Sequence, residues 1–143
     1  MDAKKIIITG SATRIGAALA LSLAKHGAQL TLHYNKSEKE VKKLKIKLES
    51  IGCEVFLIKA DLSRSKETKE IIPFAYKKMG GLDCLINNAS IFEKDNLHDF
   101  SEKSFSKHIN INLKAPATLT KDFKKYLKSK KGNIINIIDQ RIF

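Results

Sequence analysis

Tryptophan is absent from this chain, and cysteine, proline and methionine each occur only twice. Two cysteines, Cys53 and Cys84, lack metal-ligand spacing and are too few for a disulfide framework. Both fall in apolar, strand-like contexts, where reduced, buried thiols of a cytoplasmic protein are expected, and no metal site is expected anywhere. Long hydrophobic runs are missing too. The longest weakly polar stretch, Ile15 to Ala24, is about half of the ~20 residues a spanning helix needs. The apolar run behind Lys4 and Lys5 is too short for a secretory signal. The expected setting is therefore cytoplasmic, without a membrane partner.

Acid is scarce: 15 Asp and Glu stand against 27 Lys and Arg, for a net charge of +12. A strong positive charge raises the possibility of a nucleic-acid partner. Arginine is scarcer still, however, at 3 of those 27 residues. Nucleic-acid readers favour Arg for its planar, bidentate fork and interleave aromatics for base stacking. Here the lysines cluster on helix surfaces, as at Lys42, Lys43, Lys45 and Lys47 or Lys124, Lys125, Lys128, Lys130 and Lys131. They read as a solvated face, and nucleic acid is not an expected partner.

What is present is an alternation of strand and helix without repeat, linker or low-complexity tract. The 143 residues, 43% hydrophobic, suffice for one core, so a single domain spanning 1–143 is expected. Lys5–Thr9 reads as a first strand. Arg14–His26 reads as a helix ending at Gly27, with Ile15, Ala18, Leu19, Leu23 and His26 on one face. Gln29–Tyr34 follows as a second strand. Ser37-Glu38-Lys39-Glu40 has the form of a capping box opening a helix with Val41, Leu44, Leu48 and Ile51 at helical spacing. Val55–Lys59 is a third strand. A helix from about Ser65 to Met79 is expected to kink or split at Pro73, which removes a backbone donor. Asp83–Asn87 is a fourth strand. A long helix then carries Phe105, Ile109, Pro116, Leu119, Phe123 and Leu127, and Ile134–Ile138 is a fifth strand. The series predicts an α/β fold: a parallel sheet, covered by helices on both faces, with right-handed crossovers.

Chemistry enters at the first strand–helix turn, Thr9-Gly10-Ser11-Ala12-Thr13-Arg14-Ile15-Gly16. Gly10 and Gly16 are spaced so that backbone N–H groups and a helix N-terminus face a pyrophosphate. Arg14 stands where a general Gly-x-Gly-x-x-Gly turn has its central glycine, and an ordinary strand–turn–helix remains the alternative. The end of the second strand separates the cofactors. NAD sites place an acid there for the ribose 2′-hydroxyl. This chain has His33-Tyr34-Asn35-Lys36-Ser37: an amide, a cation and a hydroxyl at a helix start. Those groups suit the 2′-phosphate of NADP, unless Ser37 is only a cap and Lys36 only solvated.

With these residues the chain resembles the short-chain dehydrogenase/reductases. Thr9-Gly10, Arg14-Ile15-Gly16 is similar to their cofactor turn, and Asp61-Leu62 to their adenine-contacting pair. Asn87-Asn88-Ala89 is similar to their fourth-strand motif, and Asn112-Leu113 to the Asn that supports a proton relay. Within that family it most resembles the pteridine reductases. The shared features are Arg14, the His33–Ser37 segment, Ser90 after Asn88-Ala89, Phe92 as a ring that stacks on substrate, and Asp139 in place of a catalytic Ser.

The resemblance implies a Rossmann-type doubly wound parallel sheet with five strands present and the later strands and helices of the family fold missing. It implies NADP-dependent reduction of a small pterin-like molecule. Cofactor contacts would come from Thr9, Gly10, Arg14, Ile15, Gly16, Tyr34, Asn35, Lys36, Ser37, Asp61, Leu62, Asn88, Ala89 and Ser90. Arg14, Ser90 and Phe92 would touch substrate, and Asp139 and Asn112 would act in catalysis. The pair Tyr126 and Lys130 satisfies Tyr-x-x-x-Lys but precedes the fifth strand, so it is expected to be unrelated to the family's proton-donating pair. That pair would fall past Phe143, so the chain alone is expected to be incomplete for catalysis. A non-catalytic dinucleotide- or partner-binding module is the alternative. The complete family fold would form a homo-oligomer. Here an open edge at Ile134–Ile138 is expected to promote self-association.

Overall fold

The structure, a computed structural model, describes residues 3–94, 98–99, 101–127 and 131–138. Five strands form one sheet: β1 (Lys5–Ile8), β2 (Gln29–Tyr34), β3 (Val55–Lys59), β4 (Cys84–Asn87) and β5 (Asn133–Asn136). All neighbours are parallel, in the order β3-β2-β1-β4-β5. Among the described residues, no helix is long and apolar enough to cross a membrane.

β1 shows why the sequence takes this form. Three consecutive isoleucines, Ile6, Ile7 and Ile8, are all buried, which suits a central strand covered on both faces. Ile6 and Ile8 join Leu30, Leu32 and Ile86 under α1 (Arg14–Lys25) and α2 (Glu38–Glu49). Ile7 points the other way and joins Leu85 under α4 (Ile71–Met79) and α6 (Ala115–Leu127). Strand alternation therefore divides one run of apolar side chains between two cores.

The expected break at Pro73 is present. Short α3 (Ser65–Thr68) ends before α4 begins at Ile71. Pro73 then lies in the first turn of α4, where its missing N–H would have had no intrahelical partner.

Three helix details differ from the sequence expectation. The buried positions of α1 are Gly16, Ala20 and Ala24, whereas Ile15 and His26 are exposed. Small residues win that face because they let the helix axis approach the sheet closely. The Ser37–Glu40 capping box is not formed: Ser37 caps α2 without a side-chain bond. Ile51 is exposed past the end of α2.

The long helix is divided. α5 (Glu102–Ile109) passes through a π-helical turn, Asn110–Lys114, into α6. Pro116 supplies the cause. It has no N–H for the carbonyl of residue 112, and its ring crowds that carbonyl. A wider turn, with Ala115 N–H donating to the Asn110 carbonyl, relieves both problems. The added residue rotates the apolar stripe, so Ile111, Ala115, Leu119 and Phe123 enter the core while Phe105 and Ile109 stay exposed.

Candidate functional site

In the sheet order, β1 is followed in sequence by β2 on one side and pairs with β4 on the other. Chain connections diverge at this point, leaving a crevice past the carboxyl ends of β1 and β4. Two adjoining hollows occupy it, of about 510 and 630 Å³. They share Gly10, Thr13, Asn35, Ile91 and Ile111, so together they form one groove.

The floor is the Gly10–Gly16 turn. Gly10 has φ of +61°, and a Cβ there would lie 2.8 Å from the Ala89 Cα. At Gly16 a Cβ would lie 2.4 Å from the Gly10 carbonyl oxygen and 2.7 Å from the Ser11 Cα. Arg14 takes φ of 49°, the left-handed conformation that glycine adopts more easily, at a cost of roughly 1–2 kcal/mol. Thr13 caps α1 without a side-chain bond, and the first turn holds no acid. The opening N–H groups of α1 are thus left for an acceptor at the positive end of the helix.

Thr9 and Asn88 tie this turn to β4. The Thr9 hydroxyl accepts from the backbone N–H of Asn88 and of Ala89, both at 3.0 Å. Asn88 Nδ2 donates to the Thr9 carbonyl at 2.9 Å and to the Gly10 carbonyl at 3.0 Å. These bonds explain why a threonine follows β1 and an asparagine follows β4.

The wall past β2 carries Tyr34, Asn35, Lys36 and Ser37, all lining the larger hollow with Asp61. Asp61 accepts from the Ser63 hydroxyl at 2.7 Å and the Ser63 N–H at 2.9 Å. The Ser63 hydroxyl bond, helped by Arg64 and Lys36, holds its carboxyl below the usual carboxylate range.

The opposite wall, Ile91 to Glu93, is tied to the α5–α6 region. Asn112 Oδ1 accepts from the Ile91 N–H, and its Nδ2 donates to the Ile91 carbonyl, both at 2.9 Å. Glu93 donates its N–H to His108 Nε2 at 3.0 Å and pairs with Lys107. Asn112 lies in the π-helical turn, which aims it at this loop.

The groove brings together Gly10, Arg14, Ile15, Gly16, Leu62, Asn88, Ala89 and Ser90 in the smaller hollow. Thr9 lies beneath it as a tether, and Asn112 stands behind Ile91. Phe92 is 77% exposed and outside the groove lining. Asp139 and Lys130 lie outside the described residues. Tyr126 packs at a tilt against Tyr76, centroids 5.0 Å apart, at the far end of α6, where it lies against the core.

Sequence reading passed over several groove residues. Thr13, Ile91 and Ile111 have no distinguishing composition, and Lys103, Ser106 and Lys107 on α5 and Asn110 at the start of the π turn carry no motif. For the π turn that aims Asn112 there was a signal, Pro116 inside a helical pattern.

A sequence model described as short chain dehydrogenase matches residues 4–140. A short-chain dehydrogenase/reductase of Pestalotiopsis microspora is 29% identical over 135 residues, covering 94% of this chain and 51% of that protein. The FolM alternative dihydrofolate reductase 1 of Brucella canis, solved with NADP, superposes with a TM-score of 0.89 at 31% identity. That match covers 95% of this chain and 55% of the other. A short chain dehydrogenase of Burkholderia cenocepacia, also solved with NADP, gives 0.89 at 28% identity, over 93% of this chain and 54% of that one. The chain spans about half the length of the curated relatives it matches.

Proposed function

This chain belongs to the short chain dehydrogenase family, and from that premise we propose that its groove binds NADP and that the whole protein reduces a pterin- or dihydrofolate-like ring. The observation that carries the reading is a single groove joining the glycine-cradled start of α1 to an acid-free end of β2. Gly10 and Gly16 leave room for a pyrophosphate against backbone that any Cβ would occupy. Lys36, Asn35 and the uncapped Ser37 hydroxyl offer a cation, an amide and a donor to a 2′-phosphate. The two NADP-bound relatives support the same choice.

Bound NADPH supplies a hydride to the substrate ring. The chain's own residues bind, orient and exclude water. Arg14 and Ser90 share the smaller hollow and are proposed to receive the polar edge of the substrate, and Phe92, exposed and outside that lining, is proposed to stack on its ring. Asn112 fixes the Ile91 backbone, and through it the wall that carries Ser90 and Phe92. Asp139, which lies outside the described residues, is proposed to hold or pass a proton. The likeness to an alternative dihydrofolate reductase supports the pterin class.

Cofactor preference tests the reading. Titrated with NADPH and NADH, the chain is expected to favour NADPH. A charge-assisted phosphate contact from Lys36, with Ser37 at a helix start, contributes about 1–3 kcal/mol. Lys36→Asp is expected to shrink or invert the preference. Equal affinity for the two nucleotides in the unmodified chain would remove the 2′-phosphate assignment.

A further inference from the structure

We propose that His33 is a positioning residue for the cofactor, holding the corner of the phosphate turn through a hydrogen bond that only the neutral imidazole can accept. The proposal rests on the groove's assignment to NADP given above. Its evidence is the bonding of one buried side chain at the ends of three neighbouring strands.

His33 sits near the end of β2 and is 2% exposed. Its Nδ1 lies 3.1 Å from the Gly10 nitrogen, just past β1, and its Nε2 lies 3.0 Å from the Ala60 carbonyl oxygen, just past β3. A carbonyl only accepts, so Nε2 carries the proton. A backbone N–H only donates, so Nδ1 must carry none. The partners thus fix one neutral tautomer. The His33 carbonyl completes the clasp, accepting from the Ser11 N–H at 3.0 Å and the Ser11 hydroxyl at 3.1 Å.

Gly10 is where this matters. It has φ of +61°, and only 2.8 Å would separate an added Cβ from the Ala89 Cα. Its carbonyl also accepts from Asn88 and lies over Gly16. A proton on Nδ1 would set two donors against each other at this corner and push the turn out of register with the opening N–H groups of α1.

Burial opposes that proton and lowers the histidine pKa below its ordinary value of 6.5, while the Ala60 carbonyl and Asp61 act in the other direction. Among the described residues, Asp61 past β3, Arg14 at the start of α1 and Lys36 past β2, with Glu93, Lys103 and Lys107 on the opposite wall, are the charged groups that line the groove. The contribution of neutral His33 to stability is complete above about 6.5. It is lost as pH falls from there toward the lowered value of the folded chain, because the unfolded state takes up the proton first.

The test compares the full chain with His33→Asn and His33→Gln, at pH well above and well below 6.5. Asn places an acceptor where Nδ1 was and does not titrate, whereas Gln reaches toward Ala60 and abandons Gly10. Two readouts are taken at low micromolar concentration: hydrogen exchange of the peptide containing Gly10, corrected for intrinsic rate, and calorimetric titration with NADP⁺. In the unmodified chain, Gly10 is expected to lose protection, and NADP⁺ to bind about tenfold more weakly, on acidification. His33→Asn is expected to keep both near their neutral-pH values, with a shallower pH dependence. The residue of that dependence reports the 2′-phosphate, whose second pKa is about 6. His33→Gln is expected to expose Gly10 and weaken binding about tenfold at every pH while remaining folded by circular dichroism. If His33→Gln unfolds, the contrast between His33→Asn and the unmodified chain across pH decides.

Gly10 protection indifferent to pH and to both substitutions overturns the proposal, as does a pH dependence of binding identical in His33→Asn and the unmodified chain. Gly10 protection that follows His33 as expected, with no NADP⁺ binding at any pH, leaves the clasp standing and removes the cofactor assignment instead.

Discussion

Gly16→Ala is expected to abolish measurable NADP⁺ binding and to lower stability by about 1–3 kcal/mol, the range for overpacking a tight contact. The new Cβ would lie 2.4 Å from the Gly10 carbonyl oxygen, 2.7 Å from the Ser11 Cα and 2.8 Å from Asn88 Nδ2. Two of those three neighbours are backbone, so no rotamer change relieves the clash. Either α1 lifts from β1, opening the face where Gly16, Ala20 and Ala24 pack, or the Gly10 turn moves and loses the Asn88 bonds. Both outcomes misplace the N–H groups that are to meet the pyrophosphate. Gly27→Ala is the control. Unlike Gly16 it sits at positive φ, +76°, but with nothing within 4 Å. It is therefore expected to cost only the roughly 1–2 kcal/mol of left-handed backbone and to leave binding intact. Thermal unfolding and NADP⁺ calorimetry on the two variants check this. Binding by Gly16→Ala within a few-fold of the unmodified chain would show that the cradle is not where the nucleotide lies.

The 143-residue chain is expected to self-associate, and Ile135→Lys with Ile137→Lys to return it toward monomer. In the sheet of described residues, β5 pairs with β4 and ends the order on that side. Ile134, Ile135, Ile137 and Ile138 are 38%, 45%, 38% and 74% exposed. An apolar edge with no proline and no charge offers unpaired N–H and C=O groups to a neighbouring strand. Ile135 in β5 and Ile137, one residue past it, are two apart and so share one face of this extended segment, and a lysine at each adds charge without altering the β4 ladder. Light scattering and size-exclusion chromatography at high micromolar concentration provide the measurement. A clean monomer of the unmodified chain with cooperative thermal unfolding would defeat this expectation, and unfolding of the double variant would show that the two isoleucines lie in a closed core.

The fold was legible because its signals are local. Ile6-Ile7-Ile8 reads as a strand buried on both faces, and Pro73 breaks a helix in any context. Gly10, Gly27 and Gly80 stand at turns where the backbone takes positive φ. The strand–helix alternation then leaves a parallel sheet as the economical arrangement, and β1 to β4 fall within a residue of the expected bounds. β5 begins and ends earlier than expected, at Asn133 and Asn136, because pairing with β4, and not the isoleucine run, sets its register. Helix faces were less legible. α1 was read as burying its largest side chains, yet close approach to the sheet selects Gly16, Ala20 and Ala24.

By itself, then, the sequence determined the family, the strand–helix series and many of the residue types around the groove, since each depends on chemistry within a few neighbouring positions. Tertiary structure decided which of those residues meet. It set His33 between Gly10 and Ala60, across 23 and 27 residues of chain, and Thr9 against Asn88, across 79. It turned Asn112 toward Ile91 through a π turn that Pro116 imposes, and it left Phe92 outside the groove lining. The physical reason is that a hydrogen bond between strand ends needs the parallel register of three strands to exist first, and no local pattern encodes that register.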